Sequence, residues 1–170
     1  MPALPADEYG PARPGDFREW FSAQAFKAAE ARALFDSLGD ELEEIDVEGH
    51  RAYVLARDTA FPPPKPSLRL LPEYDVYVMG FRERDYLIPE VVRKQIAAQG
   101  RGRYEGPAGV RLVVVDGVAA GLWERKKRDK RIELRVTPAR KLSRPQRAEL
   151  QDEGERIGAF TGLEPVLAVG

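Results

Sequence analysis

Residues 111–138, RLVVVDGVAAGLWERKKRDKRIELRVTP, decide what kind of fold this chain forms. RLVVV (111–115) and VAAGLWER (118–125) are strand-length runs rich in apolar residues. The Asp116-Gly117 pair between them supplies the positive backbone angles that a two-residue hairpin turn requires. KKRDK then leads to a third strand, IELRVTP (132–138). The second turn is chemically unlike the first. In ERKKRDKRIELR (124–135) seven of the twelve residues are Lys or Arg. Lys126, Lys127, Arg128 and Lys130 are expected to project from the turn, with Arg125 and Arg131 at its flanks. There each cation can neutralise a phosphate and release counterions. The competing reading is a hairpin tip that merely keeps the protein soluble. Just upstream, GRGRYEGPAG (100–109) adds Arg101, Arg103 and Tyr104, assigned to the same face. Its glycines precede a strand and do not open a helix, so no phosphate cradle is expected there.

Working outward, Ser143 and Gln146 form a capping box for a last helix reaching about residue 161, with Gly162 as its stop. Residues 89–99 read as a helix opened by Pro89 and closed by Gly100. Residues 68–79 read as a strand, since Val76 and Val78 alternate with Asp75, Tyr77 and Met79; a charged packet, Arg82, Glu83, Arg84 and Asp85, follows Gly80. TAFPPPKPS (59–67) holds four prolines in nine residues and reads as an extended linker. Before it, PGDFREWF (14–21) is a short helix, and residues 25–38 form a second, with Ala31, Leu34, Phe35, Leu38 and Leu42 on one face. A hairpin, EEIDV and RAYVLA, turns at Glu48-Gly49-His50. The expected fold class is therefore α+β. Helices running directly into a hairpin make a winged-helix-like unit at 1–58, followed by the linker 59–67. A β-rich domain with two helices occupies 68–170.

Charge is segregated although the net charge is only −1. Residues 1–60 carry 6 Lys/Arg against 13 Asp/Glu, whereas residues 101–147 carry 14 against 5. That places a basic surface in the third quarter of the chain. The second helix offers Lys27 and Arg32 against Glu30, Asp36, Asp40 and Glu41, a surface that repels phosphate, so residues 14–58 are read as scaffold. No apolar run approaches the roughly 18–20 residues of a membrane helix. The absence of cysteine removes disulfide and thiolate chemistry and fits a cytoplasmic protein. His50, the one histidine, has no marked nucleophile or orienting acid, and Ser22, Ser37, Ser67 and Ser143 lie outside any G-x-S-x-G context. The acids of DELEEIDVE (40–48) lack calcium-loop spacing. No metal or cofactor is expected.

Four stretches carry a family likeness: YGPARPGDFREWF (9–21), RALFDSLGDELEEIDVEG (32–49), LRLLPEYDVYVMGFRERDYLIP (68–89) and VVVDGVAAGLW (113–123). From about residue 9 to 165 the chain resembles the C-terminal part of the bacterial winged-helix DNA-binding domain family. That family includes DNA glycosylases acting on alkylated bases and interstrand crosslinks. The resemblance implies a last winged helix at 9–58 and a small β-barrel-like domain at 68–168. Within its most specific piece, LLPEYDVYVMGFRERD, it implies a structural motif of Asp75, Gly80, Arg82 and Arg84, with Asp75 paired to Arg82 or Arg84. The glycosylases carry a Gln-x-Gln catalytic motif, which glutamines 24, 95, 99, 146 and 151 do not form. The helix that should precede YGPA is reduced to MPALPADE. The expectation is thus a fragment, a shortened paralogue or a misplaced start codon, with no catalytic residue. It is a module of DNA repair that binds double-stranded DNA through the basic hairpin, with a partner protein supplying the missing winged helices. An active glycosylase and a protein-interaction remnant without DNA affinity are the alternatives.

Overall fold

The computed structural model describes residues 11–22, 27–47, 49–60, 65–80, 84–100 and 109–170. The fold is mixed α+β. It divides into two compact units, Met1–Pro63 with Met79–Arg82, and Pro64–Val78 with Glu83–Gly170.

In the first unit, α1 (Pro14–Ser22) and α2 (Ala28–Leu38) precede a hairpin of β1 (Leu42–Val47) and β2 (His50–Leu55). Aromatic rings tie these elements together. Phe17 packs edge-on against Phe35 at 6.1 Å, and Phe35 packs edge-on against Tyr53 of β2 at 5.6 Å. The helix periodicity that had enlisted Leu42 stops earlier. A 3-10 turn over Gly39–Glu41 ends the helix, and Leu42 opens β1 opposite Leu55. His50 is likewise a strand residue, paired with Val47 at the mouth of the turn. Gly49 sits in that turn at φ 84°, with its N–H bonded to Asp46 Oδ1 at 2.8 Å.

The second unit is built on a five-stranded sheet in the order β3 (Leu68–Leu71), β4 (Leu112–Val115), β5 (Val118–Lys127), β6 (Arg131–Pro138), β7 (Glu164–Val169). All neighbours are antiparallel except β6 and β7. The sheet curls into a half-barrel. This is the barrel-like sheet the family likeness implied, left open between β3 and β7, which end the strand order. The β4–β5 turn takes the expected form, with Asp116 at φ 51° and Gly117 at φ 83°. At Gly121 the register slips: Val113 faces Gly121 while Val114 faces Ala119, leaving Ala120 as the extra residue of a bulge. A Cβ on Gly121 would lie 2.5 Å from the Thr137 carbonyl oxygen and 2.7 Å from Pro138 Cα. Only glycine allows β5 to come so close to the end of β6.

β7 did not show in the sequence, because Pro165 argues against a strand. Here β7 ends the sheet and pairs only with β6, an edge position that tolerates a residue without an N–H. Between β6 and β7 runs α5 (Arg144–Thr161), capped as expected: Ser143 Oγ accepts the Gln146 N–H, and Gln146 Oε1 accepts the Ser143 N–H. Gly162 closes the helix at φ 67°. Leu150 of α5 joins Leu68, Leu70, Val113, Leu134 and Val136 in one core. Fully burying each of these side chains is worth about 1.5–3 kcal/mol. The buried Glu153 reaches the sheet differently, accepting the Leu70 N–H at 3.1 Å and pairing with Arg156. On the other side of the chain's path, α4 (Glu90–Ala98) buries Val92 and Ile96 and packs beside β5.

The strand expected over 68–79 ends at Leu71. Pro72 has no N–H to continue the ladder, Tyr74 turns the chain at φ 59°, and Val76–Met79 form a single helical turn, α3. Asp75 caps it: Asp75 Oδ1 accepts the Tyr77 N–H at 2.9 Å and its carbonyl accepts the Val78 N–H at 3.0 Å. What looked like alternation is one buried face, with Val78 2% exposed and Val76 58% exposed.

Three glycines in this unit give graded expectations. Gly121→Ala drives a methyl into backbone atoms and costs at least about 3 kcal/mol. Gly158→Ala meets the Pro165 ring at 2.7 Å and costs about 1–3 kcal/mol. Gly154→Ala has ordinary contact with Leu134 at 3.6 Å and is neutral, or gains up to about 1 kcal/mol from helix propensity. Urea midpoints for the three variants check that order. Asp75→Ala loses the cap of α3 and lowers stability by about 1 kcal/mol without unfolding the domain, which the same measurement reads.

Candidate nucleic-acid interface

The basic run of the sequence is held on β5 and β6. Lys126 faces Glu133 and Lys127 faces Ile132 across the ladder, so both lysines are strand residues and not part of the turn as expected. The ladder can run that far because β6 is anchored: Ile132, Leu134 and Val136 are buried on its inner side. β7 extends the support, since Arg131 pairs with Glu164 and the Glu164 N–H bonds the Lys130 carbonyl at 3.0 Å. The reversal itself is Arg128–Arg131, closed by the Arg128 N–H on the Arg131 carbonyl at 2.8 Å. All seven residues from Arg125 to Arg131 are exposed.

These cations are not equivalent. Arg128 Nε and Arg131 Nη2 both contact Glu133 Oε1, at 3.2 and 3.3 Å. The Arg128 hydrogen bond holds the Glu133 carboxyl below the usual carboxylate range, against a smaller opposing effect of desolvation, and the charges of Arg128, Arg131 and Lys126 reinforce it. Glu133 is therefore a permanent anion at neutral pH and occupies two guanidinium groups. Among the described residues, the side chains of Arg125, Lys126, Lys127 and Lys130 make no hydrogen bond or ion pair. They are the cations available to a ligand at this tip.

A second basic surface escaped the reading of the sequence. Arg140, Lys141, Arg144 and Arg147 line an open groove of about 700 Å³ where β6 leads into α5. Their spacing in ARKLSRPQR (139–147) fits no helix or strand period, because the first two lie in a loop and the others on the first turns of α5. Only a tally of charge without acids, four cations and no Asp or Glu between 139 and 147, could have marked it.

Of the charged packet after Gly80, Arg84 and Asp85 are described and make separate structural contacts, while Glu83 lies outside the described residues. Arg84 Nε donates to the Val78 carbonyl at 2.8 Å, and Asp85 pairs with Arg93 of α4. Asp75 bonds the Tyr77 N–H and is not Arg84's partner; Gly80 lies in the turn after α3. Arg82, Arg101 and Arg103 lie outside the described residues. The preceding LPE corner is also tied down: Arg111 Nη2 meets Glu73 at 2.8 Å, and Trp123 Nε1 donates to the Leu71 carbonyl at 2.8 Å. Among the described residues no His, Cys, Asp and Glu cluster could hold a metal ion, and no helix is long and apolar enough to cross a membrane.

Comparison with known proteins assigns a lineage to this arrangement. Residues 6–160 match the family described as DNA glycosylase AlkZ-like. An interstrand DNA cross-link repair glycosylase of Streptomyces sahachiroi is 33% identical over 158 residues, covering 91% of this chain and 40% of that protein. The solved structure of the Streptomyces sahachiroi DNA glycosylase AlkZ superposes with a TM-score of 0.74 at 29% identity, covering 95% of this chain and 42% of that one. The chain thus spans about two fifths of the relatives it matches. It belongs to the AlkZ-like DNA glycosylase family.

Proposed function

We propose that this member of the AlkZ-like DNA glycosylase family is a DNA-binding module without catalytic groups of its own, gripping duplex DNA through the β5–β6 hairpin with little regard to sequence. The observation that carries the reading is the tip itself. Four cations, Arg125, Lys126, Lys127 and Lys130, stand exposed and unpaired among the described residues on an arm braced by β7. Phosphate neutralisation by such side chains needs no base contact and no pocket. Arg101 and Arg103, which lie outside the described residues, are proposed as further phosphate contacts. In this reading residues 1–58 are a partial winged helix, 59–67 a proline-rich linker and 68–170 the barrel-like domain. The chain then corresponds to the C-terminal part of its longer relatives and works on DNA together with a further protein.

The second reading is a glycosylase acting on alkylated or crosslinked bases, favoured by the name of the curated relative, an interstrand DNA cross-link repair glycosylase. Incubating the chain with alkylated duplex and assaying abasic sites separates the two. No release at stoichiometric protein supports the module; release overturns it.

Binding to a short duplex should weaken about a hundredfold between 50 and 200 mM salt if four phosphates are neutralised. Salt-independent affinity would sink the proposal. Charge reversal at Lys126, Lys127 and Arg128 is expected to abolish binding, while reversal at Lys27 and Arg32 leaves it nearly unchanged. Glu133→Gln releases Arg128 and Arg131, so it should tighten binding and steepen the salt slope by about one to two, as fluorescence anisotropy would show.

A further inference from the structure

We infer that the groove lined by Arg140, Lys141, Arg144 and Arg147 is a second, separate contact for the DNA phosphate backbone. The inference rests on DNA being the partner, and it assigns a surface that the hairpin reading does not include.

Three observations carry it. The first is uncompensated charge. The residues lining the groove include four cations and no carboxylate. Among the described residues Arg140, Lys141 and Arg144 make no hydrogen bond or ion pair, and Arg147 uses its Nε only on the Leu142 carbonyl at 3.3 Å. At the hairpin, by contrast, Glu133 already holds two of the arginines. The second is that these charges stand where they oppose folding. Arg144 and Arg147 lie on the first turn of α5, which carries no acid, although a helix start favours anions and disfavours cations. The acids of α5, Glu149, Asp152, Glu153 and Glu155, come later along it. The start of α5 thus sets cations against the helix dipole, and Arg147 alone gains a bond in return, to the Leu142 carbonyl; a local rule broken in this way marks a surface kept for a ligand of negative charge. The free N–H groups of the helix start do not explain the site, since Gln146's N–H is taken by Ser143 Oγ and Pro145 has none.

The third observation is placement. The hairpin tip and the groove lie at the two ends of β6, Arg131–Pro138. Eight strand residues span about 23 Å between their ends, roughly two thirds of one turn of B-DNA at about 34 Å. In this inference one duplex lies along β6 and engages both clusters, whereas either cluster alone grips at a single point. A partner held at two points of a rigid strand keeps a defined direction on the protein without any base being read.

The test uses the full chain and a 20-base-pair duplex, with affinity followed by anisotropy across a salt series. The substitutions Arg140→Gln, Lys141→Gln and Arg144→Gln are combined, leaving Arg147 and the Ser143–Gln146 cap in place. The expected result is a salt slope reduced by two to three and an affinity at low salt down at least tenfold. The melting temperature should be unchanged or raised, since Arg144 opposes the helix dipole. Should the triple variant melt lower, Arg140→Gln alone, a loop change, is expected to reduce the slope by about one. Wild-type slope and affinity in both groove variants, with binding still abolished by reversal at Lys126, Lys127 and Arg128, overturns this inference and leaves the hairpin reading intact. Loss in the groove variants with the hairpin reversal silent supports the groove and overturns the hairpin. No binding by the unsubstituted chain overturns both. Poly-glutamate of equal charge competing as well as the duplex reassigns the groove to an acidic protein segment and also overturns it.

Discussion

Everything in the larger unit hangs on the close approach of β5 to the end of β6 at Gly121. The bulge at Ala120 lets one ten-residue strand serve two partners in succession. Up to Leu122 it pairs with β4 inside the core, and from Gly121 onward it pairs with β6. The Ala120 carbonyl, freed from the β4 ladder, takes the Ala139 N–H at 2.7 Å. Bulges increase local twist, and twist is what curls an open sheet around a helix. The same bend frees the second half of β5, from Glu124 to Lys127, to run out beside β6 as an arm. A two-stranded arm alone is marginal in water. This one inherits order from the buried inner side of β6 and from β7 beside it.

Electrostatics then divides the two basic surfaces. At the hairpin, the Glu133 carboxylate takes up Arg128 and Arg131, and Asp129 adds a second negative charge in the turn itself. At the groove nothing does so. The tip keeps a surplus of positive charge, with Arg125, Lys126, Lys127 and Lys130 outside any ion pair among the described residues. The groove holds unspent potential, damped beyond a Debye length of about 8 Å at physiological ionic strength.

How much of this was legible depends on whether the deciding physics was local. The Asp116-Gly117 turn and the Ser143–Gln146 box announced themselves because each satisfies its own backbone within four residues. Around the family signature, Asp75 Oδ1 accepts the Tyr77 N–H and Arg84 donates to the Val78 carbonyl, while Arg82 lies outside the described residues. Asp75 caps four residues of helix where alternation suggested a strand, because Pro72 and a left-handed Tyr74 had already broken the ladder. β7 was invisible since a proline speaks against a strand unless one knows the strand lies at the edge. The groove was invisible for a related reason: its four cations come from a loop and a helix start, and only the tertiary path from β6 into α5 gathers them. The pairing of Glu133 with Arg128 and Arg131 lay between these cases, since cross-strand register was needed to see it.

The bond from Leu70 to Glu153 joins residues 83 positions apart. On a ribosome this means that β3 is made long before the helix that covers it. Until α5 emerges, the outer edge of β3 offers its N–H and C=O groups to any passing strand, as uncovered edges do. Assembly of the half-barrel is accordingly slow by topology, because most of its contacts wait for the last third of the chain. A nascent chain stalled before Arg144 would hold a formed hairpin beside a sticky edge, the condition under which growing polypeptides call on chaperones.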